Sequence, residues 1–337
     1  MTTTTSGRAA WKVLERTDPP PGVPILAIAN QKGGVGKTTS VVNLGAALAL
    51  RGYCALVIDL DPQANATTGL GLDRRAVVRS TYELLSQEAA LEEVVMTTSV
   101  PGLYCAPAGQ DLAGAEVELV QQAARERRLK AVLDASERRW DVVLVDCPPS
   151  LGLLTVNGLI AAHGLVVPVQ CEYYALEGLG QLLSTAERVR RTLNPTLRIT
   201  GLLLTMYDGR TRLSSDVAHE VRSHFGELVF KAVVPRSVRL SEASSYGQPV
   251  VTLDAGSRGS ISYRLVAGEL EERCALASAA AAAREGSRGT PAPTKEDSER
   301  APVPSRQGPG GRGYGVVTSE PEGLVESWPP PNPRTEP

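Results

Sequence analysis

The sequence predicts an α/β fold, a mostly parallel twisted sheet with helices on both faces. Three features point there. Apolar runs of strand length alternate with amphipathic stretches of helix length from about residue 23 to 285. Runs such as Val142-Val143-Leu144-Val145 are apolar at every position, as strands covered on both faces must be. The chain is 42% hydrophobic but only 4% aromatic, so its core has to be packed from Ala, Val and Leu.

The elements follow in order. Ile25 to Ala29 reads as a strand, followed by a Gly-rich loop and a helix over roughly Lys37 to Leu50. Ala55 to Asp59 is the next strand. Ser80 and Glu83 form a Ser-x-x-Glu capping box, so a helix starts there. Leu103 to Ala106 is a short strand, Ala115 to Arg138 a long charged helix, and Asp141 to Asp146 a buried strand. Leu165 to Val169 and Ile199 to Met206 are two more strands. Leu213 to Phe225 reads as helix, Val229 to Val234 as extended, and Ile261 to Arg284 as helix with an Ala-rich end at Ala279 to Ala283. In sheets of this kind ligands lie beyond the carboxyl ends of the strands.

Residues 1–22 are polar, end in Pro19-Pro20-Pro21-Gly22 and read as a flexible arm. Residues 23–285 form the folded domain. Residues 286–337, rich in Pro, Gly, Ser, Arg and Glu, lack the apolar surface to offset their ordering entropy and are expected to be disordered. No signal peptide or membrane-spanning run is evident, so a soluble intracellular protein is expected. The five cysteines form no C-x-x-C pair, which argues against a zinc site or a disulfide framework. Net charge is −2, so any nucleic-acid surface must be a local patch. From Glu187 to Arg239, Lys and Arg outnumber acids ten to five, which supplies such a patch.

The first strand runs into Asn30-Gln31-Lys32-Gly33-Gly34-Val35-Gly36-Lys37-Thr38-Thr39. The glycines let successive N–H groups turn toward phosphate oxygens, and the following helix adds its N-terminus. Lys37 can reach the β- and γ-phosphates, and the Thr38 hydroxyl suits Mg²⁺. The general phosphate-loop pattern wants Gly where Gln31 stands; a second lysine, Lys32, opens the loop. Asp59 and Asp61 close the second strand, two positions apart and therefore on one side of an extended chain.

The run from Lys32 to Thr39 resembles the deviant Walker A loop of the ParA/MinD group, and Gln31 is common in its ParA/Soj branch. The resemblance covers about residues 23 to 275 and implies a P-loop NTPase fold that hydrolyses ATP with Mg²⁺, slowly unless a partner stimulates it. It implies that Lys32, Gly33, Gly34, Val35, Gly36, Lys37, Thr38 and Thr39 bind nucleotide. By the same resemblance, Lys32 crosses a dimer interface to the partner's nucleotide, as an arginine finger does elsewhere. Asp61 positions the attacking water, Asp59 supports Mg²⁺ through water, and Val142 to Asp146 is a Walker B strand whose Asp146 holds Mg²⁺ through water.

Further matches follow. Val169 to Gly178 resembles the ParA/Soj segment in which the residue at Glu172 reaches the partner's ribose; Tyr173 and Tyr174 read equally as packing groups. The loops containing Met206 and Pro235 are implied to approach the adenine, and those containing Arg210, Arg236 and Arg239 to bind DNA. Ser237, Ser244 and Gln248 stand where the family usually has Asn, Pro and Lys, which weakens the DNA expectation without removing it. No base-reading helix is evident, so contact with the DNA backbone is expected. The implied function is an ATP-dependent homodimer that binds DNA without sequence specificity and partitions chromosomes or plasmids with a ParB-like protein. It would be cytoplasmic, nucleoid-associated and off the membrane. A MinD-like membrane ATPase is the alternative, but the tail lacks a basic amphipathic helix. A nitrogenase-type iron–sulfur subunit would need Cys105 and Cys147 at the dimer seam. A tyrosine kinase is disfavoured by a tail with only Tyr314.

Overall fold

The computed structural model describes residues 22–138, 140–173 and 175–276. Apart from Gly22, the expected arm, the expected tail and Ala279 to Ala283 lie outside the described residues.

Seven strands form one sheet: β1 (Ile25–Ile28), β2 (Ala55–Asp59), β3 (Met96–Thr97), β4 (Leu103–Ala106), β5 (Val142–Asp146), β6 (Gly164–Gln170) and β7 (Arg198–Thr205). Their order is β3-β4-β2-β5-β1-β6-β7, parallel throughout except for the β3–β4 pair. The helices are α1 (Lys37–Leu50), α2 (Asn65–Gly69), α3 (Thr81–Ser86), α4 (Leu91–Val94), α5 (Leu112–Glu118), α6 (Arg128–Ala135), α7 (Leu153–Ala161), α8 (Ala175–Thr192), α9 (Arg212–Phe225), α10 (Val238–Ser245), α11 (Val250–Leu253) and α12 (Arg258–Cys274).

The two-residue period of the strands explains their unbroken hydrophobicity. Leu26, Ile28, Val57, Leu144, Val166 and Leu203 face one core with α1, α2 and α10 to α12. Ala27, Leu56, Ile58, Val143, Val145 and Val167 face the other core with α3 to α9. Each strand therefore needs apolar side chains on both sides. The capping box is present: the Ser80 N–H donates to Glu83 Oε2 at 2.6 Å, and Ser80 Oγ accepts from Tyr82 N at 3.1 Å.

Three expectations need correction. The long helix from Ala115 to Arg138 is instead α5, two 3₁₀ turns and α6. Gln122 is extended and Ala124 is left-handed, φ 52°. Buried Asn157 on α7 holds the break, donating to Arg125 O at 3.0 Å and accepting from Leu129 N at 3.2 Å. Val229 to Val234 runs beside β7 without forming a strand: Phe230 N and Val234 N donate to Leu202 O and Leu204 O, but the Lys231 and Ala232 N–H groups go to the Glu269 carboxylate, each at 2.8 Å. The last described helix stops at Cys274, where Ala275 turns left-handed at φ 49°. Strand β3 and helices α2, α4, α7, α8, α10 and α11 were not anticipated at all.

Candidate nucleotide site

Parallel register brings the site together. Asp146 lies beside Ile28 on one side and Asp59 on the other, so both carboxylates and the start of the phosphate loop share one end of the sheet. Gly34 (φ 73°) and Gly36 (φ 88°) take left-handed backbone. At Gly36 a Cβ would meet only ordinary contacts with Thr205, so conformation rather than space demands glycine. The loop is tied at both ends. Asn30 Nδ2 donates to Pro168 O at 2.6 Å, while Asn30 Oδ1 accepts from Lys32 N at 3.0 Å. Thr205 Oγ1, at the end of β7, donates to Val35 O at 2.8 Å. Ser40 Oγ donates to Gly36 O at 2.7 Å, and the Thr39 carbonyl accepts from Asn43 Nδ2 at 2.8 Å.

The two lysines occupy different settings. Lys37 is buried, and its Nζ donates to Lys32 O across the loop at 3.2 Å. Burial lowers its pKa, opposed by the charges of Asp146 and Asp61. Lys32 is half-exposed, and its Nζ pairs with Glu172 Oε2 at 3.1 Å. Glu172 Oε1 accepts in turn from Gln170 Nε2 at 2.6 Å.

The three carboxylates also differ. Asp59 is fully buried and accepts three hydrogen bonds, from Asp61 N at 3.0 Å, Thr67 N at 2.9 Å and Thr67 Oγ1 at 2.8 Å. Desolvation still pushes its pKa up to about 6. Asp61 Oδ1 accepts from Gln63 N at 3.0 Å, which fixes its side chain at the strand's end. Asp146 is buried with neither carboxylate oxygen hydrogen-bonded. Burial, then the charge of Asp59, raises its pKa well above the usual carboxylate range; the Thr38 hydroxyl opposes the rise without completing a hydrogen bond.

A buried acid with no partner is costly unless something compensates it. A divalent cation does so, and a hydroxyl beside a carboxylate is a hard-oxygen donor set that fits Mg²⁺. Among the described residues no group of three or more His, Cys, Asp or Glu could hold a metal.

The remaining predicted residues lie around this end. Met206 follows β7 directly in left-handed backbone, φ 50°. Pro235 bridges to Tyr207, and Arg236 N donates to Tyr207 O at 3.0 Å, so the 206–210 and 235–239 segments form one corner. Arg210 forks onto Asp208 at 2.9 and 2.8 Å, and Arg239 lies 3.1 Å from Glu242 and 3.8 Å from Asp254. Arg236 is exposed. The basic excess is thus partly compensated locally, including at Glu187, which holds both Arg190 and Arg191.

Sequence reasoning missed Thr205, Asn30 and Thr67. Their roles depend on partners about 170, 138 and 8 residues away, and no local pattern marks them. Cys105 and Cys147 are completely buried, with thiol pKa values raised by desolvation, which removes the iron–sulfur reading. Among the described residues no helix is long and apolar enough to cross a membrane.

Comparison with known proteins bears on this geometry. The AAA domain family matches residues 23–199. The sporulation initiation inhibitor protein Soj of Bacillus subtilis is 51% identical over 246 residues, 73% of this chain and 97% of that protein. The chromosome partitioning protein ParA of Caulobacter vibrioides is 51% identical over 251 residues, 74% of this chain and 94% of that protein. A crystal structure described as cobyrinic acid a,c-diamide synthase from Mycobacterium smegmatis, with a bound ATP analog and magnesium, aligns with TM-score 0.64 and 41% identity over 73% of this chain and 93% of that one. With a two-lysine phosphate loop, strand-end carboxylates and half of its aligned residues shared with named partitioning proteins, the chain belongs to the Soj/ParA family of chromosome-partitioning ATPases.

Proposed function

We propose that this chain is an ATPase that dimerises on ATP, binds DNA without sequence specificity, and partitions chromosomes or plasmids with a ParB-like partner. The observation that carries the reading is the pair of lysines at one anion cradle. Lys37 is sunk into the loop, whereas Lys32 is half-exposed and held by a surface ion pair that a partner's phosphate can replace.

The loop N–H groups from Gly33 to Thr39 and the Lys37 ammonium bind the triphosphate. Thr38 and Asp146, with Asp59 behind them, would hold Mg²⁺, which would supply positive charge to the transferred phosphoryl group. Asp61 orients the attacking water. Lys32 of each subunit stabilises charge on the other's transferred phosphoryl group. Glu172 reaches the partner's ribose, and Met206 and Pro235 flank the adenine. Arg210, Arg236 and Arg239 contact DNA phosphates, and dimerisation doubles that set. The protein works in the cytoplasm on the nucleoid. The named partitioning relatives support this reading.

A gel-shift experiment with random-sequence DNA tests it, run with non-hydrolysable ATP, with ADP and without nucleotide. Retardation only with the ATP analogue is expected; equal retardation in all three lanes sinks the proposal.

A further inference from the structure

At the opposite end of the sheet, where the strands begin, there is an open cleft of about 470 Å³. Val23, Ile25, Leu133, Trp140 and Val143 line it, with Glu137 and Arg138 at the wall. A second hollow of about 340 Å³ adjoins it, since Ser136 lines both; it contributes Glu88, Glu92 and Glu93. The surface thus runs from apolar to acidic. None of these residues serves the nucleotide site.

Two details show that the apolar end is built rather than incidental. Arg138 lies over the rings of both Tyr104 and Trp140, 4.0 and 4.4 Å from their centres, and the rings meet edge to face at 5.3 Å. The Trp140 indole N–H is buried and has no hydrogen-bond partner.

We propose that residues 8–16 of this same chain occupy the cleft, seating Trp11 and Leu14 against Val23, Leu133 and Trp140. Tethering is the first reason. Val23, in the cleft wall, follows the arm directly, so the arm departs from the edge of its own site. The stretch from Trp11 to Gly22 spans up to roughly 36 Å when extended, so reach is not limiting. A tether this short holds its end at about millimolar effective concentration, enough to fill a weak site. Chemistry is the second reason. The stretch Arg8-Ala9-Ala10-Trp11-Lys12-Val13-Leu14-Glu15-Arg16 places Trp11 and Leu14 three apart among three basic residues and one acid. Its apolar pair matches the apolar end, and its basic residues match Glu88 and Glu137, both exposed. Trp is also the side chain best suited to anchor in a small apolar cleft.

The experiment uses the full chain with photoreactive p-benzoyl-phenylalanine in place of Trp11. After irradiation, crosslinked peptides are mapped by mass spectrometry on a mixture of light and isotopically heavy protein. The expected result is a crosslink within one chain to the peptides carrying Leu133 to Trp140, its yield lowered about two- to fivefold by Glu137→Arg at the exposed rim. Crosslinks centred elsewhere, crosslinks mainly between light and heavy chains, or a yield unmoved by Glu137→Arg would overturn the proposal.

Discussion

Lys32 Nζ stands 3.1 Å from Glu172 Oε2, so the lysine expected to serve a neighbour's nucleotide is tied to its own chain in the monomer. Both side chains are partly exposed, at 39% and 46%, and such pairs contribute only about 0–1 kcal/mol. Lys32→Ala should therefore shift Tm by less than about 3 °C and leave nucleotide binding in place. It should abolish the dimer formed with non-hydrolysable ATP. Light scattering after size exclusion, beside a nucleotide-binding titration, reads both; a variant that still dimerises removes the trans role of Lys32.

Asp146 gives the nucleotide-free protein a pH signature. Burial raises its folded-state pKa well above the ordinary carboxylate range, and raises that of Asp59 to about 6. A carboxyl raised on folding favours the folded state fully at pH values below about 4. That contribution fades as pH climbs out of the ordinary carboxylate range and through the raised folded values, near 6 for Asp59. Asp146→Asn should therefore melt above the parent chain by a margin that widens as pH rises above about 4, without nucleotide or Mg²⁺. Mg²⁺ affinity in the nucleotide complex should drop about 10–100-fold. A margin constant with pH contradicts the assignment.

Arg210, Arg236 and Arg239 are all exposed around the corner built by Tyr207 and Pro235, but Arg210 and Arg239 are paired with carboxylates. Arg236→Ala should weaken binding to all DNA sequences alike and make the slope of log K against log salt shallower by roughly one. Fluorescence anisotropy across a salt series measures this. Loss of affinity for one sequence only would indicate base readout.

Gly201 in β7 has Phe230 and Arg273 packed directly over it. A Cβ there would overlap the Phe230 ring and lie 2.9 Å from an Arg273 guanidinium nitrogen. That guanidinium donates to the carbonyls of Thr200, Glu227, Leu228 and Val229 and lies 4.2 Å over the Phe230 ring, so it cannot yield cheaply. Gly201→Ala should cost about 1–3 kcal/mol, a Tm loss of roughly 3–10 °C, with nucleotide affinity of the folded fraction unchanged. Differential scanning calorimetry checks it; an unaltered Tm would mean that Phe230 moves aside freely.

The parts of this molecule that obey local rules were readable in advance. Helix α1 begins at Lys37 because the preceding glycines force the turn, and β5 reads as buried because every residue from Val142 to Val145 is apolar. The α5–α6 break escaped notice because helix propensity is high across it, and the Asn157 contacts that hold it come from α7. Val229 to Val234 misled for a similar reason: its strand-like composition is real, but Glu269 on α12 takes the N–H groups a strand would have used. In the site, the lysines and aspartates were legible from type and spacing. The environments that separate saturated Asp59 from unpartnered Asp146 depend on Thr67 and on burial, which spacing does not encode.

The hydroxyl of Thr205 joins Val35, inside the anion loop, to the last residue of β7, whose next residues open the arginine corner. In the proposed cycle a displacement of the loop would reach the opposite flank through that hydrogen bond, and loss of the triphosphate would weaken the grip on a polyanion. A Thr205→Val chain keeps both ends and cuts the bond, leaving occupancy and grip free to vary separately.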